Sequence, residues 1–251
     1  MIWWQKKTLK LQYNKLDILA FGAHPDDVEL GCGGTLLSAV AKGKKVGIID
    51  LTRGELGTRG TPEIREKESE EAAKILGVEA RENLEFKDGF FLNDKTHQIE
   101  VIKVIRKFQP DILLTNAITD RHPDHARASV LVSEAAFMAG LEKIETQLGG
   151  EKQAPWRPKV VYHYIQFRNL KPDLIVDISD YHEKKMEAVR AHRSQFYDPK
   201  SNDPDTLIAS PEFLGFVSSR AMELGMQIGV KYGEGYTVER ITGVKDITEL
   251  I

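Results

Sequence analysis

From residue 17 onward, short apolar runs alternate with segments whose apolar residues recur at helical spacing. Residues 17–23 (DILAFGA), 45–51 (KVGIIDL) and 111–116 (DILLTN) are apolar runs of strand length and read as buried strands. Residues 159–167 alternate like a strand, and residues 173–178 form another. Helical spacing covers residues 34–42, stopped by Gly43, and residues 61–77, where Thr61 is the cap and Pro62 takes the first helical position. Further helices are predicted over 99–108, which stops before Pro110, over 123–140, over 179–193, and over 210–228 with Ser210 as cap. Between these elements, residues 52–60, 117–122 and 142–158 read as loops, and 196–209, rich in Pro, Asp, Asn and Ser, as a mobile one. Strand–helix alternation of this kind predicts a mostly parallel sheet covered by helices on both faces. The expected fold is thus α/β, a Rossmann-like three-layer sandwich forming a single domain over residues 17–251, after a short extension of residues 1–16.

In such sheets ligands sit beyond the carboxyl ends of the strands. Two of those ends carry nearly the same word: His24-Pro25-Asp26-Asp27 after the first strand, and His122-Pro123-Asp124-His125 after the DILLTN strand. Three of the seven histidines fall in these two loops. A borderline divalent ion such as Zn²⁺ favours imidazole and carboxylate ligands, and a catalytic site leaves one position open for water. His24, Asp27 and His125 can supply such a set. His122 and His125 are three apart at a predicted helix start, so both side chains can point into one pocket. Asp26 and Asp27 are adjacent, so their side chains diverge. One can bind the ion while the other takes the proton of the attacking water.

Composition narrows the rest. A net charge of −3, with charged residues of both signs mixed along the chain, leaves no basic stripe for nucleic acid. The single cysteine, Cys32, excludes an intrachain disulfide and a cysteine-rich zinc cluster, and it fits a reducing cytoplasm. Residues 1–15 hold a Trp3–Trp4 pair and then lysines, without the apolar stretch of a signal peptide. No window of about 18 apolar residues occurs, so a soluble protein without membrane contact is expected. Cys32 reads as core, and His97 and His182 as surface residues; alternation leaves open which way His163 faces.

At these residues the sequence resembles the LmbE-like (PIG-L) family of zinc N-deacetylases. The matching stretches are residues 23–29 (AHPDDVE), continuing through 31–36, and His122-Pro123-Asp124-His125. Residues 50–57 (DLTRGELG), 194–196 (SQF) and 229–234 (GVKYGE) are similar to the branch that deacetylates N-acetylglucosaminyl-malate in bacillithiol biosynthesis. The resemblance implies one zinc ion per chain on His24, Asp27 and His125, and Asp26 as general base. It implies His122 as the group that stabilises the oxyanion and protonates the leaving amine, with Asp124 orienting it. It further implies a small N-acetyl sugar as substrate and a homo-oligomeric, cytoplasmic enzyme. Arg53 and Glu55, on the loop after the second strand, are expected at the pocket rim, where an arginine can pair with a substrate carboxylate such as malate. Gln195 and Tyr197, with Arg59 and His192, are further candidates for substrate contact. Another N-acetyl sugar, such as a chitooligosaccharide, is the alternative substrate. Two other readings are weaker. A nucleotide-binding site lacks G-x-G-x-x-G and would set two carboxylates against phosphate. A structural zinc site is usually closed by four ligands.

Overall fold

The computed structural model describes residues 14–199, 201–244 and 246–250. The Trp3–Trp4 pair lies outside them. In chain order the elements are β1 (Ile18–Gly22), α1 (Asp27–Ala41), β2 (Val46–Thr52), α2 (Pro62–Leu76), β3 (Ala80–Phe86), α3 (Lys95–Phe108), β4 (Ile112–Thr115) and α4 (Pro123–Ala139). There follow a small hairpin of β5 (Gln147–Leu148) and β6 (Glu151–Lys152), then β7 (Val160–Tyr164), β8 (Leu174–Asp177), α5 (His182–Ala191), α6 (Phe213–Met226) and β9 (Gly233–Val238). Seven strands form one sheet in the order β3-β2-β1-β4-β7-β9-β8. The first five run parallel, and β9 is antiparallel to both its neighbours.

The alternation of β1 shows why three layers form. Leu19 and Phe21 face a core made with α3 and α4. Ile18 and Ala20 face the opposite core, made with α1, α2 and α5. A strand buried on both sides needs an unbroken apolar run, which is what DILAFGA supplies. Among the described residues no helix is long and apolar enough to cross a membrane.

Several boundaries differ from the sequence expectation. Leu16, assigned to the extension, is buried in the core, and its N–H donates to Phe108 O at 2.9 Å, so the folded unit begins before residue 17. Two strands went unread: β3, whose charged ARENLEF segment forms the sheet edge, and β9, weakened by two glycines. The loop expected at 142–158 contains the β5–β6 hairpin, turning at Gly149–Gly150, where both φ angles are positive. His182 is buried rather than on the surface; its ring stacks on Tyr232 at 3.8 Å and its Nε2 lies 3.1 Å from Ser218 Oγ. Cys32 is buried, as expected of a core residue.

Helix α1 begins at Asp27, seven residues earlier than its glycines suggested. Those glycines allow close approach rather than breaking the helix. A Cβ on Gly31 would lie 2.1 Å from the ring of Tyr164, and one on Gly34 would lie 2.8 Å from Ile178. Tyr164 cannot step aside, because it is fully buried and its hydroxyl donates to Phe21 O at 2.9 Å. Gly31→Ala is therefore expected to destabilise the fold by roughly 1–3 kcal/mol, the usual cost of overpacking. A thermal melt unchanged from the parent protein would show that the contact is not tight.

Candidate active site

The turn from β1 into α1 places three chemical groups within four residues. Asp26 sits at the N-terminus of α1 with φ 114°, a left-handed conformation that only surrounding structure can hold in a residue with a side chain. Its carboxylate is buried and lies 3.6 Å from the Arg65 guanidinium, which also donates to Pro25 O at 2.6 Å and Gly54 O at 3.2 Å. Burial raises the Asp26 pKa to about 6; Asp27 adds to the rise and Arg65 opposes it.

Asp27 turns the other way, into a cluster of imidazoles. His24 Nδ1 lies 3.5 Å from its Oδ2, and His125 Nε2 lies 3.1 Å from its Oδ1. Around a tetrahedral ion with bonds near 2.05 Å, ligand atoms stand roughly 3.3 Å apart, so the spacing of His125 Nε2 and Asp27 Oδ1 fits two ligands of one divalent cation. Each imidazole engages a carboxylate through its other nitrogen. His24 Nε2 is 3.1 Å from Asp88 Oδ1 and 3.3 Å from Asp124 Oδ2, while His125 Nδ1 is 2.9 Å from Asp120 Oδ2. Metal-ligating histidines are ordinarily oriented in this way. The donor set therefore fits a metal, with His24 Nδ1, Asp27 and His125 Nε2 facing it. Donor atoms of His24, His122 and His125 also lie within 4.8 Å of one another, as do those of His24, Asp88 and Asp124.

The second motif arrives from β4, which pairs with β1, so the two loops meet at the same sheet end. His122 caps α4, its Nδ1 accepting the Asp124 N–H at 3.3 Å, with Pro123 at the first helical position. That contact leaves the proton of a neutral His122 on Nε2. Burial lowers its pKa, and the neighbouring His24 and His125 lower it further. His122 is thus held as a neutral N–H donor in the wall of the pocket.

These residues form the floor of a cavity of about 520 Å³. Leu56, Asp88, Phe90, Phe167, Leu207 and Phe216 also line it. Of the expected substrate contacts, Gln195 and Arg59 line the cavity, and each is already engaged. The Gln195 amide donates to Arg59 O at 2.8 Å, and the Arg59 guanidinium donates to Ser194 O at 2.9 Å. His192 is fully buried outside the lining, 3.2 Å from Glu29. Arg53 is turned away from the cavity, 3.5 Å from Glu63 and 3.4 Å from Glu66, because the acidic face of α2 lies on that side of the loop. Glu55 is exposed and accepts the Asp88 N–H at 2.8 Å, supporting the turn at 87–89 instead of the pocket rim. Tyr197 is 47% exposed and outside the cavity lining. Asp124 also departs from expectation. Its carboxylate accepts from Gly89 N at 2.8 Å and faces His24, so it orients His24, and only its backbone N–H reaches His122. Sequence reasoning missed Arg65, Asp88, Asn116, Asp120 and Gln166; of these, Asn116, at the end of the DILLTN run, and Asp120, two residues before the second motif, stood where a signal could be read.

Comparison with known proteins agrees with this geometry. Residues 19–136 match the family model described as PIG-L, GlcNAc-PI de-N-acetylase. Diacetylchitobiose deacetylase of Thermococcus kodakarensis is 32% identical over 228 residues, covering 87% of this chain and 81% of that protein. The chain belongs to the PIG-L family. As a member of that family it is an amide-hydrolysing deacetylase. The family fold is seen in a conserved protein of Thermus thermophilus, with a TM-score of 0.81 and 37% identity over 92% of this chain and 98% of that one. A probable N-acetyl-alpha-D-glucosaminyl L-malate deacetylase 2 of Bacillus anthracis is 24% identical, over 73% of this chain and 83% of that protein.

Proposed function

We propose that this PIG-L protein removes acetate from an N-acetylglucosamine unit of a short, uncharged glycan of the diacetylchitobiose kind, with zinc on His24, Asp27 and His125. The observation that carries the reading is the convergence, on one cavity floor, of a metal-competent His–Asp–His set, a buried aspartate of raised pKa and a neutral imidazole donor. Bound zinc would supply a Lewis acid and a water of lowered pKa. Asp26 takes the proton of the attacking water. The N–H of His122 meets the carbonyl oxygen as negative charge grows on it. The C–N bond then breaks, acetate forms, and the sugar nitrogen leaves as an amine after taking the proton that Asp26 removed from the water, while His122 keeps its N–H.

A neutral disaccharide is favoured over the malate conjugate for two reasons. Arg53, the side chain expected to meet a malate carboxylate, is occupied by Glu63 and Glu66 outside the cavity. Phe90 and Phe216, both exposed, instead offer flat apolar faces at the cavity mouth, suited to the faces of a second pyranose ring. The similarity to a diacetylchitobiose deacetylase over most of the chain supports the same choice. The test is acetate release by zinc-loaded enzyme from N,N'-diacetylchitobiose, N-acetylglucosamine and N-acetylglucosaminyl-malate. The disaccharide is expected to react with the highest kcat/KM. A clear preference for the malate conjugate would overturn the substrate assignment, and release from none of the three would overturn the sugar reading.

Arg65 supplies a further prediction, since it fixes Asp26 by charge and by two backbone carbonyls at once. Arg65→Met is expected to lower kcat on the order of 10²-fold, the scale of a small misplacement of a catalytic group. A kcat within twofold of the parent enzyme would mean that the backbone alone positions Asp26.

A further inference from the structure

The carboxylate of Asp27 is gripped on both oxygens by amides that belong to neither motif. Asn116, just past β4, donates from Nδ2 to Oδ2 at 3.0 Å, and Gln166, just past β7, donates from Nε2 to Oδ1 at 2.6 Å. The backbone N–H of His24 adds a second donor to Oδ2 at 2.9 Å.

The direction of each amide is set by its other end. Asn116 Oδ1 accepts the Ala23 N–H at 2.9 Å, which commits its nitrogen to the opposite side, where Asp27 lies. Gln166 Oε1 faces that same Asn116 nitrogen at 3.4 Å, so the Gln166 nitrogen is the end that meets Asp27. The backbone carbonyl of Gln166 accepts from Arg220 on α6, and Arg220 also holds Asn169, which ties down the loop after β7. Asn116 is fully buried.

We propose that Asn116 and Gln166 act as a clamp that makes Asp27 a one-oxygen ligand, leaving the open metal position free for water. This rests on the reading of His24, Asp27 and His125 as the metal set. A carboxylate offers about four acceptor sites, two on each oxygen. On Oδ2 both are filled, by His24 N–H and Asn116. On Oδ1 Gln166 fills one, and the remaining site is on the side of His125, whose Nε2 is 3.1 Å away. Binding through both oxygens requires Oδ2 to give up a hydrogen bond in a buried site, where an abandoned donor is costly. Asn116 and Gln166 are therefore positioning residues, acting on the ion through Asp27.

The test uses Gln166→Met, which keeps the side chain's length and removes its donor. Zinc affinity is measured by competition with a chromophoric chelator, and the cobalt-substituted protein is examined by visible absorption. Affinity is expected to fall 10–100-fold, the usual loss when a ligand's orienting partner is removed. The cobalt bands are expected to weaken as Asp27 turns and the coordination number rises. Gln166→Leu, which likewise removes the donor and adds no charge, carries the test if the methionine variant does not fold, and the same loss is expected. Parent protein that binds zinc stoichiometrically, with a variant affinity within twofold and unchanged cobalt bands, overturns the clamp alone. Parent protein that binds no zinc overturns the metal reading beneath it.

Discussion

Asp26→Asn is expected to lower the rate of acetate release by about 10²–10⁴-fold, the usual worth of a positioned general base. Asparagine keeps the shape of the side chain and tolerates positive φ better than most residues, so the strained turn at φ 114° should survive the change. What it removes is the ability to accept a proton. Burial holds the parent carboxyl at about 6, close enough to neutrality that the base is ionised at pH 7 yet still basic enough to be useful. The loss should appear in kcat, with zinc content unchanged, because Asp26 points toward Arg65 and away from the imidazole cluster. Steady-state kinetics alongside metal analysis separates these quantities. A variant within tenfold of the parent rate, fully loaded with zinc, would remove Asp26 from the role of base.

The two motifs were legible because each follows an apolar run of strand length, and because parallel sheets gather their strand ends on one side. Pairing of β1 with β4 completes the argument: the neighbours in the sheet are the two strands that carry the matching words. Asp88 was not legible, since it follows β3, and an edge strand needs no unbroken apolar run to reveal it. Arg65 lies in a helix where charged residues are the rule, and nothing in PEIREKESEE distinguishes the one arginine that turns inward. Arg53 shows the reverse error. Its distance from the strand end was right for the pocket rim, but which way it turns depends on Glu63 and Glu66, placed by a helix ten residues later. Asp124 shows a finer limit. Helical geometry brings it beside His122 in sequence, but its carboxylate goes to the turn at 87–89, a contact that only tertiary packing creates.

Lys185→Met is expected to destabilise the protein by about 3–5 kcal/mol, as breaking one side of a buried ion pair does. For a chain of this size that corresponds to a fall in Tm on the order of 10 °C. Lys185 Nζ and Glu234 Oε1 are 2.7 Å apart, with both side chains nearly inaccessible to water. The pair also bonds the backbone of α1. Lys185 donates to Leu30 O at 2.9 Å, and Glu234 accepts the Gly34 N–H at 2.9 Å, two backbone groups that an α-helix pairs with each other. Glu234 further accepts from the N–H and hydroxyl of Thr35, each at 2.7 Å. Losing Lys185 thus strands a carboxylate, whereas Glu234→Gln in the same background removes that charge and keeps an acceptor for the helix. The double variant should therefore be more stable than Lys185→Met alone, with a coupling of roughly 0.5–3 kcal/mol between the two positions. Denaturant melts of the parent, the two single variants and the double variant close the cycle. Additive changes would show that the charges do not depend on each other, and that the backbone of α1, which carries Asp26 and Asp27 at its start, is held by its packing rather than by this pair.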